Sequence, residues 1–252
     1  MGAGILMSEF FGAGKWERLK KELSTTLLFG FGFSVLMALI GILFTIPILD
    51  LLNVPDEVLS ITCIYLRIIF LGTPFTYFYN TLAAAFKSIG DSKTPLKFLI
   101  FSSLLNGILD IILIGLLHFG IACSAVTTVI AEMVSALLSI IYIYRKIPLL
   151  QLKKEDIQIN QTLLKQTIRY GSVTALQQAC QPIGKLLIQG SVNTLGVDII
   201  AAYNAVTRVD DFAFTPEQSI SHGITTFVAQ THMPRSPGTT INETSLYKII
   251  GF

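Results

Sequence analysis

The feature that most constrains this chain is the run of residues 23–49, in which no side chain carries a charge. A helix needs about 20 apolar residues to cross the hydrocarbon core of a bilayer, so this run is long enough to span a membrane. Of the 252 residues, 52% are hydrophobic and 13% are charged, whereas soluble domains carry about 25% charged residues. A soluble enzyme is therefore excluded as the default. The formal net charge of +2, without a basic tract, excludes a nucleic-acid-binding protein.

Five further segments have the length and apolar character of a membrane-spanning helix, namely residues 58–86, 96–117, 121–144, 168–195 and 201–230. The last is the least hydrophobic of them. The opening residues can be laid over the end of that last segment, with Gly2 on Gly223 and Glu9 on Gln230. This match indicates that residues 1–14 are the end of another helix. The sequence thus predicts an all-α polytopic membrane protein with six full transmembrane helices plus an N-terminal partial helix.

The connections between these segments alternate sharply in charge. Four Lys or Arg residues lie in the connection 9–22, three in 87–97 and six in 145–169, whereas none lie in 50–57, 115–121 or 192–198. Short cytoplasmic loops retain Lys and Arg, and translocated loops lose them. We therefore expect a multi-pass protein of the plasma membrane, with the basic loops 9–22, 87–97 and 145–169 in the cytoplasm.

The longest polar connection divides the chain. Residues 145–167 are expected to form a cytoplasmic loop, whose stretch 151–165 can be an amphipathic surface helix or a plain linker. It separates a first group of helices in residues 1–144 from a second group in 168–230. The tail, residues 231–252, contains two prolines and a run of polar residues, which predicts disorder.

The most prominent polar pair inside a span is Asn106 with Asp110. A spacing of four residues places both on one helix face, and a carboxylate in hydrocarbon costs about 2.5 to 3.5 kcal/mol at the helix centre. Two interpretations are open. The carboxylate binds a proton or a cation such as Na⁺ with the amide beside it, or the two side chains hold neighbouring helices together by hydrogen bonds.

Other spans carry polar groups at depth. Thr128 and Glu132 lie four residues apart on the next span, and Asn80 lies near the cytoplasmic end of an earlier one. Such hard oxygen ligands suit a proton or an alkali cation and suit zinc or copper poorly. Hydroxyl and amide groups in membrane helices also serve as structural hydrogen bonds, which is the alternative for Thr128 and Asn80.

Three amides open the second group of helices. Gln177, Gln178 and Gln181 are followed by Lys185, and together they can line a polar cavity. Alternatively, Lys185 reaches the membrane surface or pairs with an acid on a neighbouring helix.

The order of several motifs resembles the multidrug and toxic compound extrusion (MATE) transporter family. The similar stretches of the first half are SEFFGAG at 8–14, YLRIIFLGTPFTYFYN at 65–80, FKSIGDSKTP at 86–95, NGILDIILIG at 106–115 and GIACSAVTTVIAE at 120–132. Those of the second half are RYGSVTALQQ at 169–178, NTLGVDIIAAYNAVTRVD at 193–210 and GITTFVAQ at 223–230. Each stretch is short, but the ordered set covers residues 2–230.

The resemblance implies a secondary antiporter with two lobes of six helices, which exports xenobiotic and often cationic compounds in exchange for Na⁺ or H⁺. It implies no cofactor, a drug-like small-molecule substrate and a bacterial inner membrane, and it leaves the oligomeric state unknown. By the family pattern, Asp110, Asn106, Thr128 and Asn80 correspond to the first-lobe coupling site, and Gln177, Gln178, Gln181 and Glu132 to cavity-lining positions. The chain would begin within helix two and end after helix eight, without helix one and helices nine to twelve.

The sequence departs from that pattern at two places. Gln181 stands where one branch of the family carries a glutamate, and a neutral amide cannot exchange a proton. After Gln230 the expected asparagine and GAG turn are missing. Three alternatives follow: a flippase for lipid-linked sugars of the same superfamily, a membrane enzyme, or a truncated remnant that inserts without transporting. The enzyme is disfavoured because three scattered histidines do not form a catalytic constellation.

Overall fold

The computed structural model describes residues 2–231, without the side chains of Gln181, Val197, Asp198, Glu217 and His222. Within that range every regular element is a helix. The predicted tail beyond Thr231 and the predicted role of the Gln181 side chain lie outside the described residues.

Eight α-helices follow one another along the chain. They are α1 (Gly2–Gly12), α2 (Trp16–Leu43), α3 (Thr45–Leu51), α4 (Asp56–Ser88), α5 (Lys93–Asp110), α6 (Ala122–Lys146), α7 (Gln161–Asn193) and α8 (Val197–Thr231). A π-helical segment, Ile111–Leu116, extends α5 without interruption, and two 3₁₀ turns, Pro148–Leu150 and Lys154–Asp156, lie between α6 and α7.

Four helices are long and apolar enough to cross a membrane: Trp16–Leu43, Asp56–Ser88, Lys93–Leu116 and Ala122–Lys146. They cover most of the first four predicted spans and confirm a polytopic all-α fold. The last two predicted spans are also helical, since α7 and α8 have 33 and 35 residues. Among the described residues, however, only the four helices just named are apolar enough by composition to cross a membrane. That α7 and α8 cross the membrane stays a prediction.

The first predicted span, residues 23–49, is not one helix. It breaks after Leu43, and a separate helix α3 begins at Thr45. Pro47 explains the break, because proline has no N–H to donate to the carbonyl of Leu43 and its ring clashes with that carbonyl in a continuous helix. Near the start of a new helix the missing donor is tolerated.

All three basic connections are shorter than predicted, because helices extend into each of them. In the connection 87–97, Lys93 and Lys97 lie in α5. Arg18, Lys20 and Lys21 lie in the first turns of α2, which begins at Trp16. Likewise, α7 begins at Gln161, inside the predicted connection 145–167. Asn160 starts that helix, because its Oδ1 accepts hydrogen bonds from the amides of Thr162 and Leu163, both at 3.1 Å. The stretch before it is a linker rather than an amphipathic helix.

The helices of the first group pack around α4, which contacts α2 on one side and α6 on another, while α5 packs on α6. Small residues allow close approach. A Cβ atom at Gly72 would lie 2.5 Å from the Val129 side chain, and one at Gly30 would lie 1.8 Å from the Tyr77 hydroxyl oxygen. That hydroxyl donates to the carbonyl oxygen of Thr26 at 2.6 Å, so α2 and α4 are held closely together.

The short helix α1 links the two groups, because it contacts α2 and α4 as well as α7 and α8. Its buried side chains Leu6, Met7 and Phe10 join the hydrophobic core, which also contains Leu82 and Phe86 of α4. The predicted partial helix at residues 1–14 therefore forms and sits at the centre of the contacts between the groups. The assignment of the groups to two lobes stays a prediction.

Candidate ion-coupling site

Asn106, one of the predicted coupling residues, is hydrogen-bonded to two hydroxyl groups of α6. The amide nitrogen of Asn106 on α5 donates to Thr127 Oγ1 at 3.1 Å and to Thr128 Oγ1 at 3.3 Å. Helical geometry makes this possible, since Asn106 and Asp110 share one face of α5 and adjacent hydroxyls of α6 approach that face. The predicted association of Asn106 with Thr128 is therefore present in the structure.

Among the described residues, the hydrogen-bond donors to the Asp110 carboxylate are hydroxyl groups. Thr127 Oγ1 lies 2.5 Å from Oδ1, and Ser124 Oγ donates to Oδ2 at 3.2 Å. Thr127 is fully buried, whereas Asp110 is half-buried. The resulting chain runs from the Asn106 amide through the Thr127 hydroxyl to the Asp110 carboxylate, and we call Asn106, Asp110, Ser124, Thr127 and Thr128 the Asp110 cluster.

No Lys, Arg or His of the described residues forms an ion pair with Asp110. Hydroxyl groups stabilise a carboxylate but do not neutralise its charge. The donors are carboxylate, amide and hydroxyl oxygens, which suit a hard cation. The described residues contain no group of three His, Cys, Asp or Glu side chains that could hold a metal ion.

The backbone changes directly after Asp110. Residues Ile111–Leu116 form a π-helix, which has wider turns than an α-helix and occurs frequently at functional sites. The sequence offers no marker for this change, since the segment is a plain apolar run ending in Gly115 and Leu116.

Ser124 and Thr127 are cluster members that were absent from the predicted site residues. The signal for them is their position relative to Thr128. The Thr128 hydroxyl donates to the carbonyl oxygen of Ser124 at 2.8 Å, and Thr127 Oγ1 lies 2.9 Å from the same oxygen. Three polar residues within one turn of an apolar helix indicate a polar patch, but only the facing helix decides which hydroxyls meet the carboxylate.

Asn80 lies elsewhere. It lines a cavity of about 400 Å³ that is bounded by α1, α4, α7 and α8, with Ser8, Lys87, Gln178 and Thr225 among the other lining residues. Of the predicted cavity-lining glutamines, Gln178 lines this cavity, and Gln177 is exposed on the same helix. The cavity brings together residues from both helix groups.

Glu132 also differs from expectation. It lies one turn beyond Thr128 on α6, yet its Oε2 accepts a short hydrogen bond from the hydroxyl of Thr76 on α4. Glu132 therefore belongs to the contact between α4 and α6, while Thr128 faces α5. Lys185 pairs with Asp211 of α8, which is the structural alternative considered for this lysine.

Comparisons with known proteins give similarity in sequence and in fold. Residues 1–112 match the family model described as MatE. The chain is 31% identical over 236 residues to the probable multidrug resistance protein YoeA of Bacillus subtilis (strain 168), covering 91% of this chain and 51% of that protein. It is 26% identical over 233 residues to the multidrug export protein MepA of Staphylococcus saprophyticus, covering 92% of this chain and 52% of that protein.

The fold matches as well. A solved structure described as a MATE in the bent conformation aligns with a TM-score of 0.73 and 19% identity, covering 91% of this chain and 49% of that one. The chain spans about half the length of the relatives that it matches. The resemblance first indicated by the ordered motifs is thus confirmed, and the chain is a multi-pass membrane protein related to the MATE transporters.

Proposed function

We propose that the chain acts in a secondary antiporter that exports drug-like, often cationic compounds in exchange for Na⁺ or H⁺. The observation that carries the proposal is the Asp110 cluster, a carboxylate among the apolar helices that has hydroxyl partners and no cationic partner among the described residues. The names of the relatives, which include a multidrug export protein and a probable multidrug resistance protein, support export of drugs.

The mechanism follows from charge. When Asp110 binds neither a proton nor Na⁺, its negative charge favours an arrangement of α5 and α6 that admits water. When a proton or Na⁺ is bound, the neutral cluster favours closer packing of the two helices. A ligand shifts such an equilibrium only by its differential affinity for the two states. The substrate would bind in the cavity lined by Asn80 and Gln178, because contacts from both helix groups change there as the groups move.

The test is dye export from drug-sensitive bacterial cells that produce the protein. Cells with the wild-type chain should accumulate less of a fluorescent cationic dye than cells without it, and Asp110→Asn should abolish the difference. Asp50→Asn is the matched control, since Asp50 is an exposed acid on α3, and it should leave export unchanged. Ion-coupled export that persists in Asp110→Asn overturns the role of the cluster.

The coupling ion is tested separately in vesicles. An imposed Na⁺ gradient or an imposed pH gradient should drive dye export, and the effective one identifies the ion. If neither gradient drives export by the wild-type chain, transport by this chain is refuted and the non-transporting remnant is the better interpretation. The flippase alternative gains no support, because each Arg of the described residues is exposed.

A further inference from the structure

A second carboxylate lies in the described part of the chain, and it is buried more deeply than Asp110. Glu22 stands on α2 just before the uncharged run 23–49, and its side chain is 0% exposed. Its Oε1 accepts from Thr26 Oγ1 at 3.1 Å and from Thr167 Oγ1 of α7 at 2.5 Å. Its other oxygen, Oε2, is buried and has no hydrogen-bond partner among the described residues.

This environment disfavours the ionised form of the Glu22 carboxyl group. A buried carboxylate without a compensating partner is strongly unfavourable, and such groups are paired or neutralised. No Lys, Arg or His of the described chain forms an ion pair with Glu22. Lys20 and Lys21, its neighbours on α2, are half-buried. A proton on the carboxyl group removes the charge without a further partner.

The helices that surround Glu22 also lack a compensating cation. From α4 the titratable group that faces it is the Tyr77 hydroxyl, which already donates to the carbonyl oxygen of Thr26. The basic residues of α7 nearest to Thr167 in sequence, Lys165 and Arg169, are exposed. The ionisable side chain of α1 is Glu9, another acid, and the acid nearest in sequence in the linker before α7 is Asp156, which is half-buried.

Glu22 sits where the two helix groups join. Beside it, Ser24 Oγ accepts from the amide of Gln158 at 3.1 Å, and Thr25 Oγ1 accepts from the amide of Asn160 at 3.0 Å. With Thr167, these bonds tie α2 to the linker and to the first turns of α7. Separation of α2 from α7 would therefore expose the Glu22 carboxyl group to water and break the contact that covers it.

We propose that Glu22 is a proton-binding site at the junction of α2 with α7, occupied while the helices are packed and emptied when they part. The packed state binds the proton more tightly than the parted state, so low pH favours packing. Packing weakens as pH rises above the ordinary titration range of a glutamate, about pH 4.3. The site is distinct from the Asp110 cluster and does not depend on transport.

Infrared spectroscopy of the intact chain in detergent micelles tests the proton directly. At neutral pH the wild-type protein should show the carbonyl band of a protonated carboxylic acid, and Glu22→Gln should remove intensity from that band. Glu17→Gln is the matched control, because Glu17 is an exposed acid on the same helix, and it should leave the band unchanged. A Glu22→Gln spectrum with undiminished intensity overturns the proposal.

Hydrogen exchange tests the coupling to packing. After correction for the intrinsic exchange rate, opening at the amides of Gln158 and Asn160 should increase with pH by up to about tenfold per unit, the limit for one proton. Glu22→Gln should make the profile flat, and Glu17→Gln should retain the slope. A flat profile in the wild-type chain overturns the proposal without any variant, so a folding defect in Glu22→Gln cannot hide the answer.

Discussion

The two carboxylates on which the proposals rest differ in how the surrounding chain treats their charge. Asp110 is half-buried, and each of its oxygens is hydrogen-bonded to a hydroxyl group. Glu22 is fully buried, and one of its oxygens has no partner among the described residues. Hydroxyl donors make a charged state tolerable, whereas an orphaned oxygen makes it costly. Each oxygen of the Asp110 carboxylate thus has a hydroxyl donor, whereas the proposal for Glu22 is that its carboxyl group stays protonated until the helices around it move.

The largest expected effect comes from placing a lysine at each of the two positions. Glu22→Lys places an uncompensated cation in a fully enclosed site and should lower the free energy of unfolding by about 3 to 5 kcal/mol. Asp110→Lys should cost less, because Asp110 is half-buried and a long side chain can reach water from there. Denaturant titration in detergent micelles measures both. A greater loss at Asp110 would contradict the ranking of the two sites.

A smaller effect should follow removal of the hydroxyl that supports each carboxylate. Thr127→Val leaves both the Asn106 amide and the Asp110 carboxylate short of a partner, so we expect a loss of about 1 to 3 kcal/mol in the free energy of unfolding. Thr167→Val removes one of two donors to the same oxygen of Glu22, and we expect about 1 kcal/mol. The same titration compares them, with the exposed Thr162→Val as a control of unchanged stability.

The smallest effect on the free energy of unfolding should come from the Asp211 carboxylate, which already has a lysine as its partner. Asp211 pairs with Lys185, but their side chains are 56% and 34% exposed, and such pairs contribute little. Lys185→Met should change the free energy of unfolding by no more than about 0.5 kcal/mol. A loss as large as that of Thr127→Val would show that this pair is shielded from water.

Much of the fold could be predicted because hydropathy acts on whole segments. The uncharged run 23–49 and the three spans after it were found from composition alone, and each overlaps a helix that is long and apolar enough to cross a membrane. The break at Phe44 was missed although Pro47 was visible, because a proline inside an apolar segment does not always end the helix. Pro74, for example, lies inside the continuous helix α4.

The candidate site was predicted only in part, because helical spacing fixes which residues share a face of one helix but not which neighbouring helix that face contacts. The shared helix face of Asn106 and Asp110 follows from helical spacing on one element, and the structure connects the two side chains through the Thr127 hydroxyl. The separation of Asn80 from the cluster, and of Glu132 from Thr128, depends on which neighbouring helix each face meets. Glu22 was missed because a sequence shows a glutamate at the edge of a basic segment, and only packing by α7 and the linker shows that it is enclosed.

The closeness of Tyr77 to Gly30 has a mechanical consequence. The ring of Tyr77 on α4 packs directly against Gly30 of α2, and its hydroxyl is hydrogen-bonded to the α2 backbone. The two helices therefore cannot slide or rotate past each other without breaking these contacts. A movement that carries α2 away from α7 must then carry α4 as well, and with α4 the helix α6 that packs on it. Glu22 would then move together with α6, which supplies the hydroxyl partners of Asp110. Opening at Glu22 is therefore expected to change the packing around Asp110 without direct contact between the two sites.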